Sequence, residues 1–170
     1  MSVRNIFATA QAIHAEVQTQ VGPPEEGLAA ETQSVIMMSL VRGTRGYIEK
    51  VANQINGTYE NGWYDACAVM LRRLIETLII EAFEHHRIAD KIQNSTTGDF
   101  FFLRDLVTAT LNETTWNLGR NARQALPKLK DIGDKSAHSR RFTAQRGDIQ
   151  PLLGDIRTVV QELIYLAGLK

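Results

Sequence analysis

The chain has 170 residues, of which 44% are hydrophobic, so one domain with a real core is expected. Nineteen basic residues balance nineteen acidic ones, so the chain as a whole is not a general polyanion binder, and a single cysteine excludes an internal disulfide or a multi-cysteine zinc site. No run approaches the roughly 18 apolar residues of a membrane span, and the N-terminus shows no long apolar core of a signal peptide, so the cytoplasm is the expected compartment.

Taken in chain order, Val3, Ile6, Phe7, Ala10, Ile13 and Val17 recur at three- and four-residue spacing and predict a helix over about residues 3–20. The stretch Val21-Gly22-Pro23-Pro24-Glu25-Glu26-Gly27 breaks it. Residues 1–27 therefore read as an N-terminal helical arm and linker, and 28–170 as a helical bundle domain. Such an arm docks on its own body or on another subunit. A short helix is predicted over Leu28–Leu40, ending near Arg42-Gly43. Tyr47, Ile48, Val51 and Ile55 mark the next one, with Asn56-Gly57 and Asn61-Gly62 as punctuation.

The strongest helical pattern covers about residues 61–91. Trp63, Cys67, Met70, Leu71, Leu74, Leu78 and Ala82 form one stripe, and Val69, Ile75, Ile79 and Ile80 carry apolar character around most of the circumference. A helix of this kind is central in its bundle, and Cys67 in its stripe reads as a small buried hydrophobe. Asn94–Asp99 is a loop, and Phe101, Leu103, Leu106, Val107 and Leu111 predict a helix over about 100–112. Thr114–Asn121 reads as a linker anchored by Trp116. A helix then runs to about Ala137 with Leu126, Leu129 and Ile132 inward and Pro127 in its first turn. Gly133 in that helix costs about 1 kcal/mol relative to alanine and points to a close helix–helix approach. The last helix, about 148–168, takes Asp148 as N-cap and Pro151 in its first turn. No strand-like alternation persists, so the expected fold is all-α, an up-and-down bundle of four to five core helices with an N-terminal helical arm.

Charge is unevenly placed. Between Arg120 and Arg146, eight basic residues face only Asp131 and Asp134. This segment is either a solvated face or a patch for an anionic partner. On the central helix Arg72 and Glu76 are four apart and can pair, flanked by Val69 and Ile80. The pair either fixes helix register or faces a site at His138. His138, at the end of a helix, serves as acid, base or phosphate ligand, or bonds helix-terminal carbonyls or a carboxylate. Glu81 and His85 have the spacing to share a metal, but two ligands do not make a site, and no metal is expected. The chain has no phosphate-binding glycine loop, dinucleotide fingerprint, HExxH or GxSxG, so no cofactor is expected.

The segment Gly62-Trp63-Tyr64-Asp65-Ala66-Cys67-Ala68-Val69-Met70-Leu71-Arg72-Arg73-Leu74-Ile75-Glu76, followed by Ile132-Gly133-Asp134-Lys135-Ser136-Ala137-His138, resembles the HEPN superfamily of helical bundles over roughly residues 45–168. The nearest branch is a bacterial domain of unknown function with arginine-then-glutamate on a central helix and a later GN-x-x-AH motif. Arg72 or Arg73 and Glu76 match the first motif. Gly133, Asp134, Ala137 and His138 match the second, with Asp134 in place of asparagine. The resemblance implies a homodimer. In catalytic members, an arginine precedes the histidine by four to six intervening residues, and two such motifs form a metal-independent ribonuclease site. Here those positions hold Asp131, Ile132 and Gly133.

The first expectation from these residues is a non-catalytic HEPN-like interaction module that binds RNA or a protein partner, in the setting of a prokaryotic defence or toxin–antitoxin system. Lys130, Lys135, Arg140 and Arg141 are its candidate phosphate contacts, and Arg72 and Glu76 a structural pair. The alternatives are a metal-independent endoribonuclease with His138 as acid or base, and an oligomeric scaffold whose arm docks across subunits.

Overall fold

A computed structural model of the chain describes residues 9, 11–13 and 34–170. From Ser34 onward the order is α1 (Met38–Val41), α2 (Gly46–Glu60), α3 (Tyr64–His85), a 3₁₀ turn (Ala89–Ile92), α4 (Leu103–Asn112), α5 (Arg120–His138), α6 (Arg146–Ile149), a second 3₁₀ turn (Gln150–Leu152) and α7 (Leu153–Leu166). The only strand-like pairing among the described residues is an isolated bridge between Gln93 and Phe100. The fold is an all-α bundle.

Its hub is α3, which packs against α2, α4, α5 and α7. Leu71, Leu74, Ile75, Leu78, Ile79, Ala82 and Phe83 are buried on several sides of this helix, as its wide apolar arc requires. α2 folds back on α3 through a turn in which Gly62 adopts φ +74, and the N–H groups of Gly62 and Trp63 reach the carbonyls of Tyr59 and Thr58. α5 runs antiparallel to α3. Trp116, just before α5, packs edge-on against Phe83 near the end of α3, while Gly133 sits beside Ala68 and Arg72. α7 runs in the direction of α3, because Ala144, ahead of it, bonds Asp65 while Gly168, after it, lies against His85.

Several expectations change. The helix predicted over Leu28–Leu40 reduces to the single turn Met38–Val41; Ser34–Met37 is not helical and residues 28–33 lie outside the described residues. Here Val35 and Ile36 are both fully buried, and the buried Asn56 side chain accepts the Ile36 N–H at 2.8 Å and donates to its carbonyl at 2.9 Å. The same pair of bonds explains why Asn56-Gly57 continues α2 rather than ending it: the asparagine is a bracket for an incoming segment, not a turn former. Trp63 precedes α3 and is 56% exposed, outside the buried stripe.

Pro127 is not in the first turn of its helix. α5 starts at Arg120, where the Glu162 carboxylate accepts the Gly119 N–H at 2.7 Å and the Arg123 guanidinium bonds the Leu111 carbonyl. These tertiary contacts hold a helix that Pro127 weakens by removing the N–H due to the Arg123 carbonyl, at a cost of about 3 kcal/mol. Nor is Asp148 an N-cap. It lies inside α6 and accepts the Gln145 N–H at 2.9 Å, and Pro151 opens the 3₁₀ turn that separates α6 from α7. The predicted arm and its boundary at residue 27 lie outside the described residues, except that residues 11–13 are helical, with Ile13 exposed.

The close approach expected at Gly133 is present. A Cβ there would stand 2.6 Å from Arg72 Cβ and 3.3 Å from the Ala68 carbonyl oxygen. Neither neighbour is the far end of a flexible side chain. Gly133→Ala therefore loses about 1–2 kcal/mol net, overpacking outweighing the roughly 1 kcal/mol gained in helix propensity. Urea unfolding of the two proteins checks this; a stabilised variant would contradict the contact.

Candidate functional site

Where α3 and α5 meet, four charged side chains form a ladder. Arg72 Nε donates to Asp134 Oδ1 at 2.9 Å, a second Arg72 nitrogen lies 3.3 Å from Glu76 Oε2, and Lys130 Nζ reaches Asp134 Oδ2 at 2.9 Å. Helical spacing builds two rungs, since Arg72–Glu76 and Lys130–Asp134 are each four apart. The glycine supplies the cross-link: with no side chain at 133, the Arg72 stem passes over the α5 backbone and its guanidinium meets the next carboxylate. The Arg72 side chain is 21% exposed and that of Asp134 29%, so the pair is better shielded than an open surface ion pair. Partial burial alone would raise the Asp134 pKa, but the bonds from Arg72 and Lys130 outweigh it and hold the carboxyl below its ordinary value.

His138 lies one turn beyond Asp134 on α5 and is exposed. Arg72 and Glu76 therefore pair with each other and with α5, rather than facing the histidine as one expectation had it. Nor does His138 make the helix-terminal bond of the other expectation: its imidazole forms no bond to another described residue. The last carbonyl bond at this end comes from the Ser139 backbone N–H to the Lys135 carbonyl at 2.9 Å.

The remaining predicted contacts divide. Lys130 is bound within the ladder, with 20% of its side chain exposed. Lys135 is exposed and pairs with Asp131 at 3.2 Å. Lys128, earlier on α5, pairs with Asp155. Arg140 and Arg141 are exposed and carry no ion pair to another described residue. Three of the segment's basic residues, Lys128, Lys130 and Lys135, are thus matched by carboxylates of α5 and α7, while Arg140 and Arg141 after α5, like Arg120 at its start, are exposed without an ion pair to another described residue.

Nearer the C-terminus of α3, Glu81 is buried in the hub and does not join His85. Its carboxylate accepts bonds from Arg45 Nε at 2.7 Å and from the Tyr47 hydroxyl. Burial, followed by the bond to Glu81, pushes the Tyr47 phenol up to about 12. Sequence reading missed this triad, although a glutamate inside the apolar arc of a helix signals a required partner. Burial also pushes the Cys67 thiol up to about 12, in keeping with a hydrophobic rather than a reactive role. Searches against protein families, curated proteins and solved structures return no match to this chain.

Asp134 links stability to pH with a definite sign. Its folded pKa lies below the unfolded value, so its contribution is present above the ordinary aspartate range near 3.9 and is lost as pH falls through the folded value. Asp134→Asn should therefore destabilise the protein by a constant amount at neutral pH, with the gap to wild type narrowing below about pH 4. Thermal unfolding from pH 3 to pH 7 measures this; a gap that widens in acid would contradict the ladder.

Proposed function

We propose that this chain is a non-catalytic, HEPN-like interaction module that binds RNA through the end of α5. The observation that carries this reading is the division of charge along that helix. Lys130 and Asp134 hold α5 on α3 together with Arg72, while Arg140 and Arg141 stand open beside the exposed His138. Arginines without internal partners reach phosphate oxygens without first breaking an ion pair, and their planar fork suits a phosphate. The positions where catalytic relatives of the resembled superfamily carry an arginine hold Asp131, Ile132 and Gly133, and Asp131 instead pairs with Lys135. The cation nearest His138 on the same helix, Lys135, is already paired with Asp131, and a single imidazole with no free cation near it on its own helix supports contact more than phosphoryl chemistry. The endoribonuclease reading draws on the exposure of His138, and the same experiment separates the two.

The test is binding of labelled mixed-sequence single-stranded RNA in EDTA, across a salt series. Arg140→Glu with Arg141→Glu should weaken binding by roughly tenfold or more and flatten the salt slope by about 1.4, the value for two lost phosphate contacts on a single strand. His138→Ala should leave the RNA intact and bound. Metal-free cleavage by wild type that disappears in His138→Ala would replace this reading with the enzyme, and no RNA binding at all would overturn it in favour of a protein partner.

A further inference from the structure

The start of α3 carries apolar surface that the bundle does not use. Trp63 is 56% exposed and Val69 36%. With Ala66 and the half-buried Met70 they line a groove of about 490 Å³ running from Gly62 to Met70. Elsewhere α3 is the buried hub of the fold, so large apolar groups gathered on one exposed stretch mark a contact surface.

The N-terminal segment supplies a matching face. On helical spacing Val3, Ile6, Phe7, Ala10, Ile13 and Val17 fall within one arc that also holds His14, with Arg4, Asn5, Gln11, Glu16 and Gln18 outside it. Ile13, the part of that face the structure describes, is 56% exposed, so the chain's own body leaves it uncovered. The chain joins the body at Val35 and Ile36, held by Asn56. Asn56 is seven residues before Trp63, so the two lie on the order of 10 Å apart along the α2–α3 hairpin. The twenty residues between Ile13 and Ser34 span up to about 70 Å when extended, enough to cross to a neighbour.

We propose that the apolar face of residues 3–17 docks into the Trp63–Met70 groove of a second copy of this chain, and that the exchange is reciprocal. An amphipathic helix laid in a groove with a tryptophan anchor is a recurrent recognition mode. One short groove is small against the roughly 1,200–2,000 Å² of a stable interface, and two-fold exchange doubles the buried area. This surface lies on α3 and does not use Arg140 or Arg141, so it stands independently of RNA binding.

Two tagged forms of the full chain test it, one carrying Ile13→Cys and the other Met70→Cys. The native Cys67 is buried and does not compete. A short bismaleimide should join the two tags in a mixture, and light scattering should give the mass of a dimer. Trp63→Glu, and separately Phe7→Asp, should abolish the cross-link and raise the dimer dissociation constant by about tenfold or more with circular dichroism unchanged. A monomeric wild type, a mixture without a cross-link between tags, or a cross-link insensitive to Trp63→Glu would each overturn the proposal.

Discussion

The approach of α5 to α3 at Gly133 is the constraint on which the rest of the bundle rests. α3 touches every other long helix, and α5 packs on α3 and also on α4 and α7. The packing of α5 on α3 needs the missing side chain at 133, because a Cβ would collide with the stem of Arg72. Once the backbones are that near, the Arg72 guanidinium and the Asp134 carboxylate meet at 2.9 Å, and a steric fit becomes a polar lock. Glycine and arginine act as a unit here: the glycine sets the distance and the ion pair sets the register.

The lock also determines what the polar residues are free to do. A lysine that completes the coordination of Asp134 is poorly placed to hold a phosphate, and a carboxylate held ionised by two cations is a poor proton donor. Among the charged and titratable groups at this end of α5, those left exposed without an ion pair are His138, the last residue of the helix, and Arg140 and Arg141 just after it. Nearer the C-terminus of α3 the logic repeats with different residues, since buried Glu81 ties down Arg45 and Tyr47 from the start of α2. The middle of the central helix and its C-terminal part thus each carry a charged clasp to a neighbouring element.

The bundle was legible in the sequence because burial on a helix has a period, and the patterns of residues 67–82 and 156–164 follow it. Gly133 was legible too, since a glycine inside a strong helix needs a packing reason. Two of the misreadings share one cause. Asn56-Gly57 and Pro127 carry local signals for turns and helix starts, and each is overruled by a contact from far along the chain: Ile36 on Asn56, and Glu162 on Gly119. Asp134 was visible only as one half of a motif, because its partner Arg72 is 62 residues away and nothing local announces the pairing. The charge count between Arg120 and Arg146 could not show which of its cations are paired, since Asp155, which pairs with Lys128, lies beyond that window and removes one charge from the excess.

The most direct test of the account is a double-mutant cycle on stability with Arg72→Met and Asp134→Asn, read alongside RNA affinity. A structural lock predicts a coupling energy of about 1–2 kcal/mol between the two positions, with the affinity of each folded variant unchanged. Coupling near zero, together with lost RNA binding in either variant, would place these residues in the functional site instead and contradict the account.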